Sequence, residues 1–177
     1  MSIDQYRKTP RADWIDYDNG IYFVTTCTKS MKHFFGAIFN NEMHLSEIGR
    51  FVDEQLRNAD NLCDYIEIPL YVVMPNHIHL LIYCKTDDNS YIPYHPAQRS
   101  PDKSFRNNPA AKRYVAKISR YMSSFKGAVT KFAKNINPDF EWEERYHDHL
   151  IRNMKEGNII SEYIRTNVQR WNSDCYY

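Results

Sequence analysis

Apolar and polar positions along the chain switch between a period of two and a period near three and a half, and the switches mark out the elements. Residues 20–28 (GIYFVTTCT) are rich in β-branched and aromatic side chains and follow an Asp-Asn-Gly turn signal, which predicts a strand. A strand pair is predicted over 35–39 and 42–45, because Asn40-Asn41 between them tolerates the positive φ of a tight hairpin. Ser46 then caps a helix of about four turns carrying Ile48, Phe51, Val52, Leu56 and Leu62 on one face. Strands over 65–74 and 78–84 flank Pro75-Asn76, a turn that cannot sit inside a central strand. Residues 85–109 are polar and punctuated by Pro93, Pro96, Pro101 and Pro109, which predicts a long mobile loop. Between 110 and 134, Val115, Ile118, Met122, Phe125, Val129 and Phe132 step by three or four and predict an amphipathic helix, weakened and kinked at Gly127. A less regular strand over 142–152 and a helix over 159–171 complete the chain, which has no internal repeat. Hairpins combined with two long amphipathic helices predict an α+β fold: a ferredoxin-like central antiparallel sheet of about five strands with helices packed on it, as one domain across 1–177.

Composition narrows the class. A chain of 177 residues with 42% hydrophobic content can bury a core without disulfides or a structural metal. No run reaches the roughly 18 apolar residues of a membrane span, and the first residues lack the apolar centre of a signal peptide, so a cytoplasmic, nucleoid-associated protein is expected. Cys27, Cys63, Cys84 and Cys175 are widely spaced and form no CxxC pair, which fits reduced thiols. The net charge of +1 hides a polarised chain. Between Arg99 and Pro138 stand ten basic residues and one acid, Asp102, a balance of +9 that leaves −8 for the remainder. A block so one-sided favours a polyanion site over a merely solvated helix face.

The sharpest local feature is MPNHIHLLI, 74–82. On a strand, His77 and His79 project to one face, either as a two-imidazole metal platform or as hydrogen-bonded structural histidines. A third ligand must come from elsewhere in the chain. In the last helix, Tyr163 and Asn167 stand four apart, hence on one helical face, where the Asn167 carboxamide oxygen can complete a site with Tyr163 beside it.

Taken in order, YFVTTCT, the hairpin and helix, MPNHIHLLI, the basic FKGAVTKF helix, FEWEERYHDHLIR and EYIRTN resemble the REP-associated tyrosine transposases, within the single-tyrosine HUH superfamily of transposases. The resemblance implies that His77, His79 and Asn167 bind a divalent metal, Mg2+ or Mn2+, and that Tyr163 is the catalytic nucleophile. It implies an enzyme that cleaves and rejoins single-stranded or hairpin DNA through a 5′-phosphotyrosine, leaving a free 3′ hydroxyl. Lys112, Arg113, Lys117, Arg120, Lys126, Lys131, Arg145 and Arg152 are then the DNA-binding candidates. Asn76, next to the histidine pair, looks like part of the motif and has no assigned chemical role. Two departures from the family pattern stand out: Val168 where a proline is common, and Glu143 where a glutamine is usual. His147 and His149 form a second HxH, read as structural or DNA-proximal.

Two other functions fit the same residues. A domesticated DNA-binding regulator would keep the fold and the hairpin binding without cleavage. A metal-dependent phosphohydrolase would use His77 and His79 with a water nucleophile and leave no protein–DNA adduct. Related transposases act as monomers or as homodimers with the tyrosine helix in trans, and both states are compatible with the sequence.

Overall fold

A computed structural model describes residues 20–84 and 117–173. In chain order its elements are β1 (Gly20–Cys27), β2 (Gly36–Phe39), β3 (Glu42–Leu45), α1 (Glu47–Arg57), α2 (Ala59–Leu62), β4 (Ile66–Val73), β5 (His77–Cys84), α3 (Lys117–Ile136), β6 (His147–Leu150) and α4 (Met154–Thr166), followed by a 3-10 segment, Val168–Ser173. The mobile loop expected at 85–109 and the first residues of the basic helix lie outside the described residues.

Local residue chemistry accounts for most boundaries. Asn40 and Asn41 both adopt positive φ, 52° and 61°, and close the β2–β3 hairpin. The Ser46 hydroxyl accepts from the Gly49 amide at 3.0 Å and caps α1. Gly49 is required there, since a Cβ would meet the Phe35 carbonyl oxygen at 2.0 Å. The helix predicted to run to Leu62 breaks at Asn58, where the chain turns into α2. Pro69 interrupts β4 at a register shift between Glu67 and Leu70, a defect tolerated because β4 is an edge strand. α3 runs as one helix through Gly127, where the sequence predicts a weakening and a kink.

The central sheet has the order β4-β5-β1-β6 and every neighbouring pair is antiparallel. This is the ferredoxin-like arrangement of two interleaved split βαβ units, and the α+β expectation holds. The sheet has four strands where about five were expected, because β2 and β3 pair only with each other. The strand predicted over 142–152 shortens to β6; Trp142 contributes a single bridge to Thr28. Its ring instead joins Phe35, Phe125 and Phe140 in an aromatic cluster, with the Lys126 ammonium 5.5 Å from its centroid.

Alternation along β5 and β1 divides the sheet into two unlike faces. Ile78, Leu80, Ile82, Tyr22 and Val24 join the core formed with Val52 and Leu56 of α1 and Ile118, Met122 and Val129 of α3. Each such fully buried side chain contributes about 1.5–3 kcal/mol, and the Phe51 and Phe132 rings stack at 4.1 Å where α1 meets α3. His77, His79 and Thr25 point to the opposite face, where α4 packs on β4 and β5.

Candidate functional site

The polar face is organised by β5. His77 and His79 are two apart on a fully paired interior strand, so their rings lie side by side, centroids 4.6 Å apart, with solvent exposure of 0% and 1%. Burial is the leading reason that both imidazoles stay neutral. It holds His79 down to about 3, and His77 well below the usual range, where the neighbouring His79 adds to the effect and Asn167 partly opposes it. A neutral imidazole is the form that ligates metals.

Each ring has its Nδ1 side held by protein. At His77, Nδ1 lies 2.8 Å from Asn76 Oδ1. At His79, Nδ1 lies 2.7 Å from the Thr25 hydroxyl, which the β1–β5 register places directly opposite. The Nε2 side of His79 faces α4 and meets the Tyr163 hydroxyl at 3.1 Å. Phe23, next to Thr25 on β1 and half-buried, stacks on His79 at 5.3 Å and meets the Tyr163 ring edge-on at 6.1 Å. Trp171 lies against the His77 ring at 6.1 Å.

α4 brings the remaining groups. Asn153 caps it by accepting from the Glu156 amide at 2.9 Å, which sets its start five residues before the expected one. Tyr163 and Asn167 then fall on the face turned to β5. Asn167, at the end of α4, is fully buried beside His77; it interacts with the His77 side chain, yet neither its Oδ1 nor its Nδ2 reaches full hydrogen-bond geometry with a described residue. A buried carboxamide so poorly satisfied is costly, and a metal ligand is one way to satisfy it. No third histidine, cysteine or carboxylate joins the pair among the described residues. The residues that could hold a divalent ion here are therefore two imidazoles and a carboxamide. Val168, where proline was expected, lets the chain continue helically into the 3-10 segment that carries Trp171.

The basic residues of α3 do not gather here. Lys117, Arg120, Lys126 and Lys131 lie on α3, which packs against the other face of the sheet. Lys126 donates to the Glu143 carbonyl at 2.8 Å besides covering Trp142, and Arg120 lies over the Tyr65 ring. Lys131, Arg145 and Arg152 are exposed. Lys112 and Arg113 fall outside the described residues. Glu143 is engaged at home, its carboxylate accepting from the Ser30 amide at 3.0 Å.

The second HxH differs from the first. His147 is exposed, and His149 is hydrogen-bonded through Nε2 to Glu156 at 2.7 Å, tying β6 to the start of α4. Thr25, Phe23 and Trp171 are site residues that the sequence reading passed over. Period two along YFVTTCT places Phe23 and Thr25 on one face, but only the β1–β5 register shows that this face is the histidines' face. Trp171 stands four after Asn167, a spacing that was legible.

Among the proteins compared, an uncharacterized protein of Haemophilus influenzae is 29% identical over 177 residues, covering 97% of this chain and 93% of its own length. No family model matches the chain. The structure of a REP-associated tyrosine transposase bound to a REP hairpin superimposes with a TM-score of 0.54 at 16% identity, covering 93% of this chain and 74% of that one. A Deinococcus radiodurans protein provisionally described as a transposase gives 0.46 at 14% identity, covering 90% of this chain and 97% of that one. At such identities the first of these structures shows a shared fold: the antiparallel sheet with its helices is similar to that of a tyrosine transposase.

Proposed function

We propose that the chain is a metal-dependent, single-strand DNA endonuclease and strand transferase of the tyrosine transposase type, acting on hairpin or repeat DNA. The observation that carries this reading is the convergence of Tyr163 on His79. Two residues 84 positions apart bring a phenolic oxygen to 3.1 Å from an imidazole nitrogen, beside a second neutral imidazole and a buried, poorly satisfied carboxamide. A packed tyrosine alone would not need that company.

In this reading His77, His79 and Asn167 hold Mg2+ or Mn2+, and the bound ion supplies charge neutralisation at the scissile phosphate. The protein's own groups do the rest. β5 fixes both rings, Asn76 and Thr25 hold their Nδ1 sides, and α4 delivers the Tyr163 oxygen to the same place. Phe23 packs on both His79 and Tyr163 and limits how the phenol turns. As the Tyr163 oxygen attacks phosphorus it gives up the phenol proton, the phosphotyrosine bond forms, the bond to the 3′ oxygen breaks, and that oxygen takes up one proton to leave as a hydroxyl, so protons balance. The covalent product keeps the phosphodiester energy, so rejoining to another 3′ hydroxyl needs no nucleotide cofactor. Exposed Lys131, Arg145 and Arg152 are candidates for phosphate contacts.

The test is incubation with single-stranded DNA from the flanks of the protein's own gene and Mn2+, read on a denaturing gel. A covalent protein–DNA band with a free 3′ end is the expected result. Tight hairpin binding without cleavage would favour a regulator of the same fold, and multiple turnover on small phosphoesters without an adduct would favour a phosphohydrolase.

A further inference from the structure

Next to the histidine pair, the turn from Thr28 to Lys32 takes a conformation that its residue types resist. Ser30 and Met31 both have positive φ, 54° and 55°, although neither is glycine. Two such residues in succession are strained and persist only where the surroundings over-determine them. Here the surroundings do so. The Lys29 amide donates to the Glu141 carbonyl at 2.9 Å, the Ser30 amide to the Glu143 carboxylate at 3.0 Å, and the Met31 amide to the Thr28 carbonyl at 3.2 Å.

The strained turn presents the Met31 carbonyl to one residue. Asn76 is fully buried and donates through Nδ2 to that carbonyl at 3.3 Å. Its own backbone carbonyl accepts from the Thr28 amide at 2.8 Å and from the Thr28 hydroxyl at 3.0 Å. A carbonyl oxygen can only accept, so the Met31 contact fixes which way round the Asn76 amide sits. Oδ1 is thereby the atom turned to His77 Nδ1, at 2.8 Å. Since Oδ1 also can only accept, the His77 proton must be on Nδ1 and the lone pair on Nε2.

We propose that Asn76 is a positioning residue, held by the strained Thr28–Met31 turn, that fixes the tautomer and ring orientation of His77 for metal binding. The inference rests on the metal reading above and adds to it a named residue, a direction of hydrogen bonding and a reason for the backbone strain. Partners of this kind, one step behind the ligands, are worth about 10- to 100-fold in metal affinity.

The experiment compares the unaltered protein with Asn76→Leu and Asn76→Asp by calorimetric Mn2+ titration, alongside the thermal midpoint of each metal-free protein. Leucine removes the acceptor, and Mn2+ affinity should fall about 10- to 100-fold. Aspartate keeps an acceptor for Nδ1–H but sets a second oxygen against the Met31 carbonyl. It should therefore melt lower than the unaltered protein while holding Mn2+ within about threefold of it. If Asn76→Asp loses as much affinity as Asn76→Leu, or Asn76→Leu loses none, Asn76 is only a structural residue of the turn and the proposal is overturned. Histidine-ring nitrogen spectra of the unaltered, metal-free protein give a check that needs no variant to fold. A His77 proton on Nδ1 supports the assignment, and one on Nε2 refutes it. Failure of the unaltered protein to bind Mn2+ at all would instead remove the metal reading, and is seen before any variant is made.

Discussion

The chain contains two HxH pairs on two strands of one sheet, and the structure gives them opposite environments. His77 and His79 sit on β5, an interior strand with helices over both faces, and lose all contact with solvent. His147 and His149 sit on β6, a four-residue edge strand; the first is exposed and the second is tied to Glu156. Spacing puts two imidazoles on one face in both cases. Burial, a fixed Nδ1 partner for each ring and a carboxamide arriving from α4 are present only at the first. An HxH is thus a statement about geometry, and its chemistry is decided by which strand carries it.

The widest separation between the pairs should appear in cleavage. His77→Ala or His79→Ala removes a ligand from the proposed site and should lower strand cleavage by about a thousandfold, the several kcal/mol expected of a lost metal ion. His147→Ala should leave cleavage within about threefold of the unaltered protein. Parallel single-strand cleavage assays measure both, and equal losses would erase the distinction.

A pH series on metal-free protein probes the buried pair by stability. His79 has a folded pKa lowered to about 3, and burial also lowers His77, whereas both side chains take up protons near 6.5 once unfolded. Below that value the unfolded state binds more protons. Stability is therefore complete above about pH 6.5 and falls with pH down towards 3, by up to about 1.4 kcal/mol per pH unit for each buried ring. Denaturant melts of His79→Gln should show a shallower slope over this window than the unaltered protein.

A smaller effect concerns Tyr163. With its proton on Nδ1, donated to Thr25, His79 has one lone pair, on Nε2, which serves either the Tyr163 hydroxyl or a metal ion. Tyr163→Phe removes the competitor, keeps the ring, and should raise Mn2+ affinity about three- to tenfold, the worth of one hydrogen bond. Calorimetry would show it, and weaker binding would mean that the phenol oxygen supports the ion instead. Smallest of all, His149→Ala should lower the melting midpoint by only a few degrees without changing Mn2+ affinity, since it loosens the start of α4 and no ligand.

Most of the fold was legible because its signals are local: Asn40-Asn41 for the hairpin, Ser46 for the cap, Pro75-Asn76 for the turn, and period two along 77–84. The sequence reading erred where tertiary contacts decide. β2 and β3 pair with each other and not with the sheet, and Trp142 is drawn out of strand pairing into an aromatic cluster. Tyr163 and Asn167 were found from a motif and one helical face, while Thr25 and Phe23 needed strand register, which no single segment encodes. The basic segment gave its charge but not its placement, for the lysines and arginines of α3 lie across the sheet from the histidines.

The most direct test maps the covalent adduct. After reaction with single-stranded flanking DNA and Mn2+, trypsin should release residues 156–165 as one peptide, EGNIISEYIR, whose only tyrosine is Tyr163. Mass spectrometry should find the 5′-phosphonucleotide on that peptide. An adduct on a peptide containing Tyr121, which lies buried on α3 across the sheet, or an adduct that survives Tyr163→Phe, would contradict the assignment of the nucleophile.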